Sequence, residues 1–280
     1  MISLEEVLRR STEYLRERGS PTPRLDTELL LAHALGLQRI ELYTQFDRPL
    51  TDSELTTCRE LVRRRGQREP VAYILGSWGF HRLDLEVDSR VLVPRPETEI
   101  LVDRCLALLE GAERPAVLDV GTGSGAIALA IAGERPDAVV TACDVSGDAL
   151  AVATANAERL GLAVELVRSD LFEQLGGRRF DLIASNPPYV TEAELASLEP
   201  EVAVHEPRLA TVAGPEGLEV FRRLLPDARE HLEAGGCVVV ECGAGQAGWV
   251  TGELARLGYG DSKVERDLAG IERVVEATWG

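Results

Sequence analysis

Residues 117–126, Val-Leu-Asp-Val-Gly-Thr-Gly-Ser-Gly-Ala, join an apolar run to a helix-forming one through three glycines, Gly121, Gly123 and Gly125. Glycine tolerates positive φ and leaves the backbone bare, so a ligand can approach the amides of Gly121, Thr122, Gly123, Ser124 and Gly125 closely. The next apolar run ends at Asp144, about twenty residues on, where a carboxylate can accept from both hydroxyls of a ribose. Two ligand classes suit this pattern. One is a dinucleotide, whose Gly-x-Gly-x-x-Ala form Ala126 satisfies. The other is S-adenosylmethionine, for which Gly-x-Gly-x-Gly is the common form. Ser169-Asp170-Leu171-Phe172 closes a third apolar run. Ligands of open α/β sheets lie beyond the carboxyl ends of the strands, so Asp170 and Leu171 fall where an adenine belongs. Asp119 serves equally well as an acceptor for turn amides and as a ligand contact.

Asn186-Pro187-Pro188-Tyr189 follows the run Asp181–Ser185 and decides the chemistry. Each proline fixes φ near −65°, and Pro188 pushes Pro187 into an extended conformation. The result is a stiff loop that presents acceptors, the Asn186 side-chain oxygen and the Pro187 carbonyl, with Tyr189 adding a flat face. Two acceptors flanking one point match a planar –NH₂ group, which has two hydrogens to donate. Held so, the nitrogen lone pair is aimed out of plane at an electrophile such as a sulfonium methyl, and orientation supplies the acceleration. A nicotinamide enzyme has no use for this arrangement.

The elements that must position these residues follow from periodicity. Ser3 with Glu6, and Thr51 with Glu54, have capping-box spacing, and Thr22-Pro23 opens a further helix that stops near Gly36. Residues 1–70 are therefore expected to form a small helical domain. Leu83, Leu85 and Val87 alternate with polar residues, Asp88-Ser89 turns the chain, and Val91 and Val93 resume, which predicts a β-hairpin linker over 71–94. Glu97 and Glu99 then stand in the first turn of a helix, favourably placed against its dipole. From 95 to 280 short β-branched runs alternate with Ala- and Leu-rich helices. The predicted strands are 116–120, 139–144, 164–167, 182–185 and 237–242, with runs near 259–264 and 273–277 pairing antiparallel at one edge. This is the pattern of a Rossmann-like α/β domain with a mostly parallel sheet.

Charge and composition bound the partners. Of 280 residues, 30 are basic and 47 acidic, a net charge of −17. Residues 1–70 hold 12 of each sign, so the whole deficit falls in the segment that bears the site. A surface of that sign opposes a phosphate backbone. The basic cluster Arg59, Arg63, Arg64, Arg65 and Arg68 reads as a solvated helix face. Five cysteines without a Cys-x-x-Cys pair, and four scattered histidines, predict reduced thiols and no metal site. No apolar stretch approaches the ~18–20 residues needed to span a bilayer, and residues 3–10 form no apolar signal core. A cytoplasmic protein without a membrane partner is the expectation.

Taken together, the motifs resemble the release factor glutamine methyltransferase family. Besides the tetrapeptide, Tyr73-Ile74-Leu75-Gly76 with Phe80, Pro94-Arg95-Pro96-Glu97-Thr98-Glu99, Glu206-Pro207 and Asp267-Leu268-Ala269-Gly270 with Arg273-Val274-Val275 are similar to runs of that family. The resemblance implies S-adenosylmethionine-dependent methylation of the side-chain amide (N5) of the glutamine in the Gly-Gly-Gln motif of class 1 peptide chain release factors. It further implies that Gly121 to Gly125 hold the methionine end of the cofactor, Asp144 its ribose, and Asp170 and Leu171 its adenine. Asn186 and Pro187 would grip the substrate amide, with Asn186 touching the cofactor as well, Pro188 would stiffen the loop, and Tyr189 would pack on the amide. S-adenosylhomocysteine would be the product, no metal would take part, and the N-terminal helices would help dock the substrate. The tetrapeptide is shared with adenine-N6 methyltransferases of nucleic acids, which the charge disfavours. A nucleotide-binding module without catalysis is disfavoured by intact Asn186 and Tyr189. His205 beside Glu206 reads as a surface loop residue, and Trp78 and Phe80 serve hairpin packing as well as a substrate channel.

Overall fold

The computed structural model describes residues 2–280. The chain divides into two compact units. One runs as far as Ser77 and takes in Glu199–His205; the other comprises Trp78–Leu198 and Glu206–Gly280.

The first unit is helical: α1 (Leu4–Glu17), α2 (Pro23–Leu35), α3 (Arg39–Thr44), α4 (Asp52–Gly66) and α5 (Val71–Leu75), with a π-helical turn at Glu201–His205. Local chemistry starts and stops these helices. At α4, Thr51 and Glu54 cap each other reciprocally. At α1 only half of the box forms, because Ser3 accepts from the Glu6 amide while the Glu6 carboxylate reaches forward to Arg9 and Arg10. Pro23 begins α2, and Gly36, at φ 63°, ends it in the left-handed region. Leu4, Leu8, Leu15, Leu30, Leu31, Cys58 and Val62 are buried on the facing stripes.

Only part of the basic cluster is the solvated face that its spacing suggests, since Arg59 and Arg63 are exposed while Arg64, Arg65 and Arg68 are not. Arg65 is buried, its Nε 2.6 Å from Asp26 Oδ2 and its Nη1 2.5 Å from Glu201 Oε1. Arg68 pairs with Glu201 (2.6 Å) and Glu199, Arg64 with Glu69, and Arg63 with Glu60. Arg65 and Arg68 thus bind a segment that lies over a hundred residues away in sequence, which no helical pattern reveals.

A hairpin, β1 (Ser77–Phe80) and β2 (Leu83–Glu86), begins on the last residue of the first unit and belongs otherwise to the second. Its turn falls at His81-Arg82, with His81 at φ 52°, rather than at Asp88-Ser89. Asp88 instead accepts from the Arg90 amide and closes a local turn of its own. Phe80 is buried in the core. The buried Asn156 accepts from the Glu86 amide and donates to the carbonyls of Glu86 and Ser124, stitching the hairpin to the glycine loop.

The rest of the unit runs α6 (Pro96–Leu108), β3 (Ala116–Val120), α7 (Ala126–Glu134), β4 (Val139–Asp144), α8 (Gly147–Leu160), β5 (Glu165–Arg168), β6 (Phe180–Ser185), β7 (Val190–Thr191), α9 (Glu192–Leu195), α10 (Arg208–Thr211), β8 (Val212–Gly214), α11 (Glu219–Glu230), β9 (Leu232–Glu241), α12 (Ala247–Leu257), β10 (Lys263–Arg266) and β11 (Glu272–Thr278). Seven strands form one sheet in the order β10-β11-β9-β6-β3-β4-β5. The five strands from β9 to β5 are parallel, while β11 and β10 add the antiparallel edge expected from the sequence. Helix α7 is apolar all round because it is buried all round, from Ala126 to Ala132. Among the described residues no helix is long and apolar enough to cross a membrane, and the five cysteines are free thiols.

Asp119, one residue before the end of β3, is fully buried. Its Oδ2 accepts from the Thr122 hydroxyl (2.6 Å) and the Ala128 amide (3.2 Å), tying the glycine loop to α7, while Oδ1 has no hydrogen-bond partner. Burial raises this carboxyl from 3.8 to about 7, against the two hydrogen bonds that lower it.

Two expectations follow. Replacing Arg65 with Met strands the buried Asp26 carboxylate without its counter-charge, while Glu201 keeps Arg68. It should cost the helical unit about 3–5 kcal/mol in urea denaturation followed by circular dichroism. For Asp119, the unfolded carboxyl ionises near 3.8 and the folded one near 7, so the stability it contributes is full below pH ~4 and is lost by pH ~7. Asp119→Asn removes that loss. Its melting temperature relative to wild type should rise between pH 4 and 7 and level off above.

Candidate active site

Strand register sets the site. Val120 pairs with Cys143 on β4 and with Ser185 on β6, and Ser185 pairs with Val240 on β9. The residues that follow these partners, Gly121, Asp144, Asn186 and Glu241, therefore emerge together at one edge of the sheet. Here β3 has β4 on one side and β6 on the other, the point of reversed strand order where a crevice opens in doubly wound sheets. A cavity of about 250 Å³ lies there. It is lined by Gly121–Ser124, Asp144, Asp170, Leu171 and Asn186–Pro188, together with Arg90, Pro94, Arg95, Thr98, Pro207 and Leu209.

The glycines of the loop differ in what they do. Gly121 (φ 76°) and Gly123 (φ 57°) line the cavity and hold the left-handed region, where an L side chain is strained. A Cβ on Gly125 (φ 86°) would meet Leu129 Cδ1 at 2.8 Å and Ala153 Cβ at 3.4 Å, so this glycine allows α7 to pack closely and does not line the cavity. Asp144 accepts from the Gly123 amide through Oδ2 and from the Ser146 amide through Oδ1, both at 2.9 Å. Its carboxyl is raised by burial, against those amides.

Asp170 and Leu171, which follow β5, also line the cavity. Asp170 is paired with Arg223 at 2.8 Å, and Leu171 sits at φ 49° with its carbonyl accepting from the buried Cys143 thiol. Arg95 Nη2 grips both oxygens of the buried Glu206, at 2.8 and 2.6 Å, which fixes the chain that leads to Pro207 and Leu209. His205, the neighbour of Glu206 in sequence, has its Nε2 3.3 Å from the Gln67 carbonyl within the helical unit.

The tetrapeptide wall is held from behind. Asn186 Nδ2 donates to Thr98 Oγ1 at 3.0 Å, and Thr98 Oγ1 donates to Glu241 Oε2 at 2.6 Å. The Tyr189 hydroxyl donates to the other oxygen, Glu241 Oε1, at 3.3 Å, and the Tyr189 carbonyl accepts from Gln246. Glu241 is buried, and desolvation raises its carboxyl to about 7. The same burial, with Glu241 alongside, pushes the Tyr189 phenol above its usual range. Asn186, Pro187 and Pro188 thus face the cavity, whereas Tyr189 stands behind them against the core. Sequence reasoning quoted Thr98 only as part of a run and did not single out Glu241. The signal for Glu241, a lone acid ending an apolar strand, acquires meaning only through the β6–β9 register.

These residues suit S-adenosylmethionine. Gly121 and Gly123 bring bare backbone to the cavity wall, Asp144 offers acceptor capacity to a ribose, and Leu171 gives an apolar face for a purine. Among the described residues no group of three or more His, Cys, Asp or Glu converges to hold a metal ion.

Comparison with known proteins agrees with this geometry. Residues 6–76 match the family model described as the PrmC N-terminal domain, and residues 97–205 match the Methyltransferase small domain. Over 273 residues the chain is 47% identical to the release factor glutamine methyltransferase of Geobacter sulfurreducens, covering 98% of this chain and 95% of that protein. The protein of the same name from Rhodopirellula baltica is 46% identical over 274 residues, covering 95% and 92%. Among solved structures, the hMettl16 catalytic domain aligns with a TM-score of 0.57 at 16% identity, over 70% of this chain and 75% of that one, a likeness of fold. With near-complete coverage at this identity, the chain belongs to the release factor glutamine methyltransferase family.

Proposed function

We infer that this enzyme methylates the side-chain amide nitrogen (N5) of the glutamine in the Gly-Gly-Gln motif of class 1 release factors. S-adenosylmethionine is its methyl donor and S-adenosylhomocysteine the product. The observation that carries this reading is the Asn186 carboxamide. Its nitrogen is tied to Thr98, so its oxygen remains for the substrate.

In this reading Gly121–Ser124 cradle the methionine end of the cofactor, Asp144 takes its ribose, and Asp170 with Leu171 bound its adenine. Gly125 supports that cradle from behind. When bound, S-adenosylmethionine supplies a methyl group on a positively charged sulfur. Asn186 Oδ1 and the Pro187 carbonyl accept the two N–H groups of the glutamine carboxamide and fix its plane. Pro187 and Pro188 restrict the backbone beneath, so little freedom is lost when substrate binds. Tyr189 braces this wall through Glu241. Orientation is the main contribution of the protein, and no side chain is assigned as a base. A methylated amide keeps one hydrogen and fills one of the two acceptors, which favours product release after a single transfer.

We propose further that the helical unit helps to dock the release factor and that the enzyme acts in the cytoplasm, without a nucleic-acid or membrane partner. The net charge of −17, and the engagement of Arg63, Arg64, Arg65 and Arg68 in ion pairs within the helical unit, support this.

Labelled S-adenosylmethionine should transfer its methyl group to purified release factor and not to its Gln→Ala variant in the Gly-Gly-Gln motif. Equal labelling of both, or salt-sensitive labelling of oligonucleotides instead, would reject the reading. Asn186→Ala should lower kcat on the order of 10²–10³-fold while cofactor binding measured by calorimetry persists.

A further inference from the structure

A carboxamide has two ends of nearly equal shape, one an acceptor and the other a donor of two hydrogens. Asn186 serves the reaction only if its oxygen faces the cavity; turned over, it would oppose the substrate N–H groups with N–H groups of its own. Nothing in the Asn-Pro-Pro-Tyr loop itself fixes this choice.

We propose that Glu241 and Thr98 form a positioning relay that sets the polarity of the Asn186 side chain; the proposal rests on the role given to Asn186 above. In its ionised form Glu241 only accepts, so at 2.6 Å the Thr98 hydroxyl commits its single hydrogen to Glu241 Oε2. The Thr98 oxygen is then left as an acceptor, and only the nitrogen end of Asn186 satisfies it, at 3.0 Å. Tyr189 donates to the second oxygen, Glu241 Oε1, so the carboxylate is held from two sides. Each member comes from a separate element. Asn186 follows β6, Thr98 lies in the first turn of α6, and Glu241 ends β9 beside Ser185 in the register set by Val240. Thr98 and Glu241 are buried, so water does not compete for the shared hydrogen.

Thr98→Val keeps the shape and deletes the hydroxyl, whereas Thr98→Ser keeps the hydroxyl and deletes a methyl group. With release factor as substrate, Thr98→Val should lower kcat on the order of 10²-fold, with KM for S-adenosylmethionine little changed, and Thr98→Ser should restore most of it. Without substrate or cofactor, the Asn186 side-chain amide protons, followed by NMR hydrogen exchange, should be protected in wild type and Thr98→Ser and lose protection in Thr98→Val. Full activity of Thr98→Val, an equal loss in both variants, or unprotected amide protons in wild type would overturn the relay. Failure of wild type to methylate release factor, with protection intact, would instead reject the assigned reaction and leave the polarity of Asn186 established.

Discussion

The parallel pairing of β3 between β4 and β6 is the constraint on which the site rests. Val120 opposite Cys143 and Ser185 brings Gly121, Asp144 and Asn186 out at one edge, and the β6–β9 pairing adds Glu241. A slip of one residue would turn every side chain of a strand to the other face. The buried residues Leu118, Val120, Ile183, Val238 and Val240 oppose any such slip, since all lie in one apolar cluster. Packing of the core and placement of the chemistry are thus a single requirement.

Besides Asp144, which backbone amides hold, four carboxylates around this edge are placed in two ways. Asp119 and Glu241 are desolvated and rely on hydroxyl donors, Thr122 for one and Thr98 with Tyr189 for the other. Asp170 and Glu206 instead face guanidinium groups, Arg223 and Arg95. The hydroxyl-bound pair orients neighbours, because a hydroxyl that gives its hydrogen to a carboxylate becomes an acceptor on its other side. The guanidinium-bound pair holds walls in place, because a forked donor fixes a carboxylate against rotation.

Much of this was legible in the sequence wherever the cause is local. The Thr51–Glu54 box, the left-handed Gly36 and the glycine loop each act over a few residues, and their positions follow from residue type. The antiparallel edge was legible too, as short β-branched runs near the end of the chain. The hairpin turn was not, because His81 takes positive φ without a glycine or asparagine to announce it. Nor was Pro226, a residue that breaks most helices, a guide to α11, which continues through it. Thr98 and Glu241 stand 143 residues apart, and only the folded sheet makes them neighbours. The ion pairs of Arg65 and Arg68 with Glu201 escaped for the same reason, since pairing across such separations is settled by topology.

The placement of Glu199–His205 in the helical unit has a bearing on how this chain can be dissected. The polypeptide leaves the catalytic fold ten residues beyond Tyr189, contributes one turn to the other body, and returns at Glu206. No single cut in the gene therefore separates the two bodies. A truncation that began after Ser77 would carry Glu199 and Glu201 as orphaned anions, stripped of the arginines that neutralise them, in the stretch that joins the Asn-Pro-Pro-Tyr loop to Pro207.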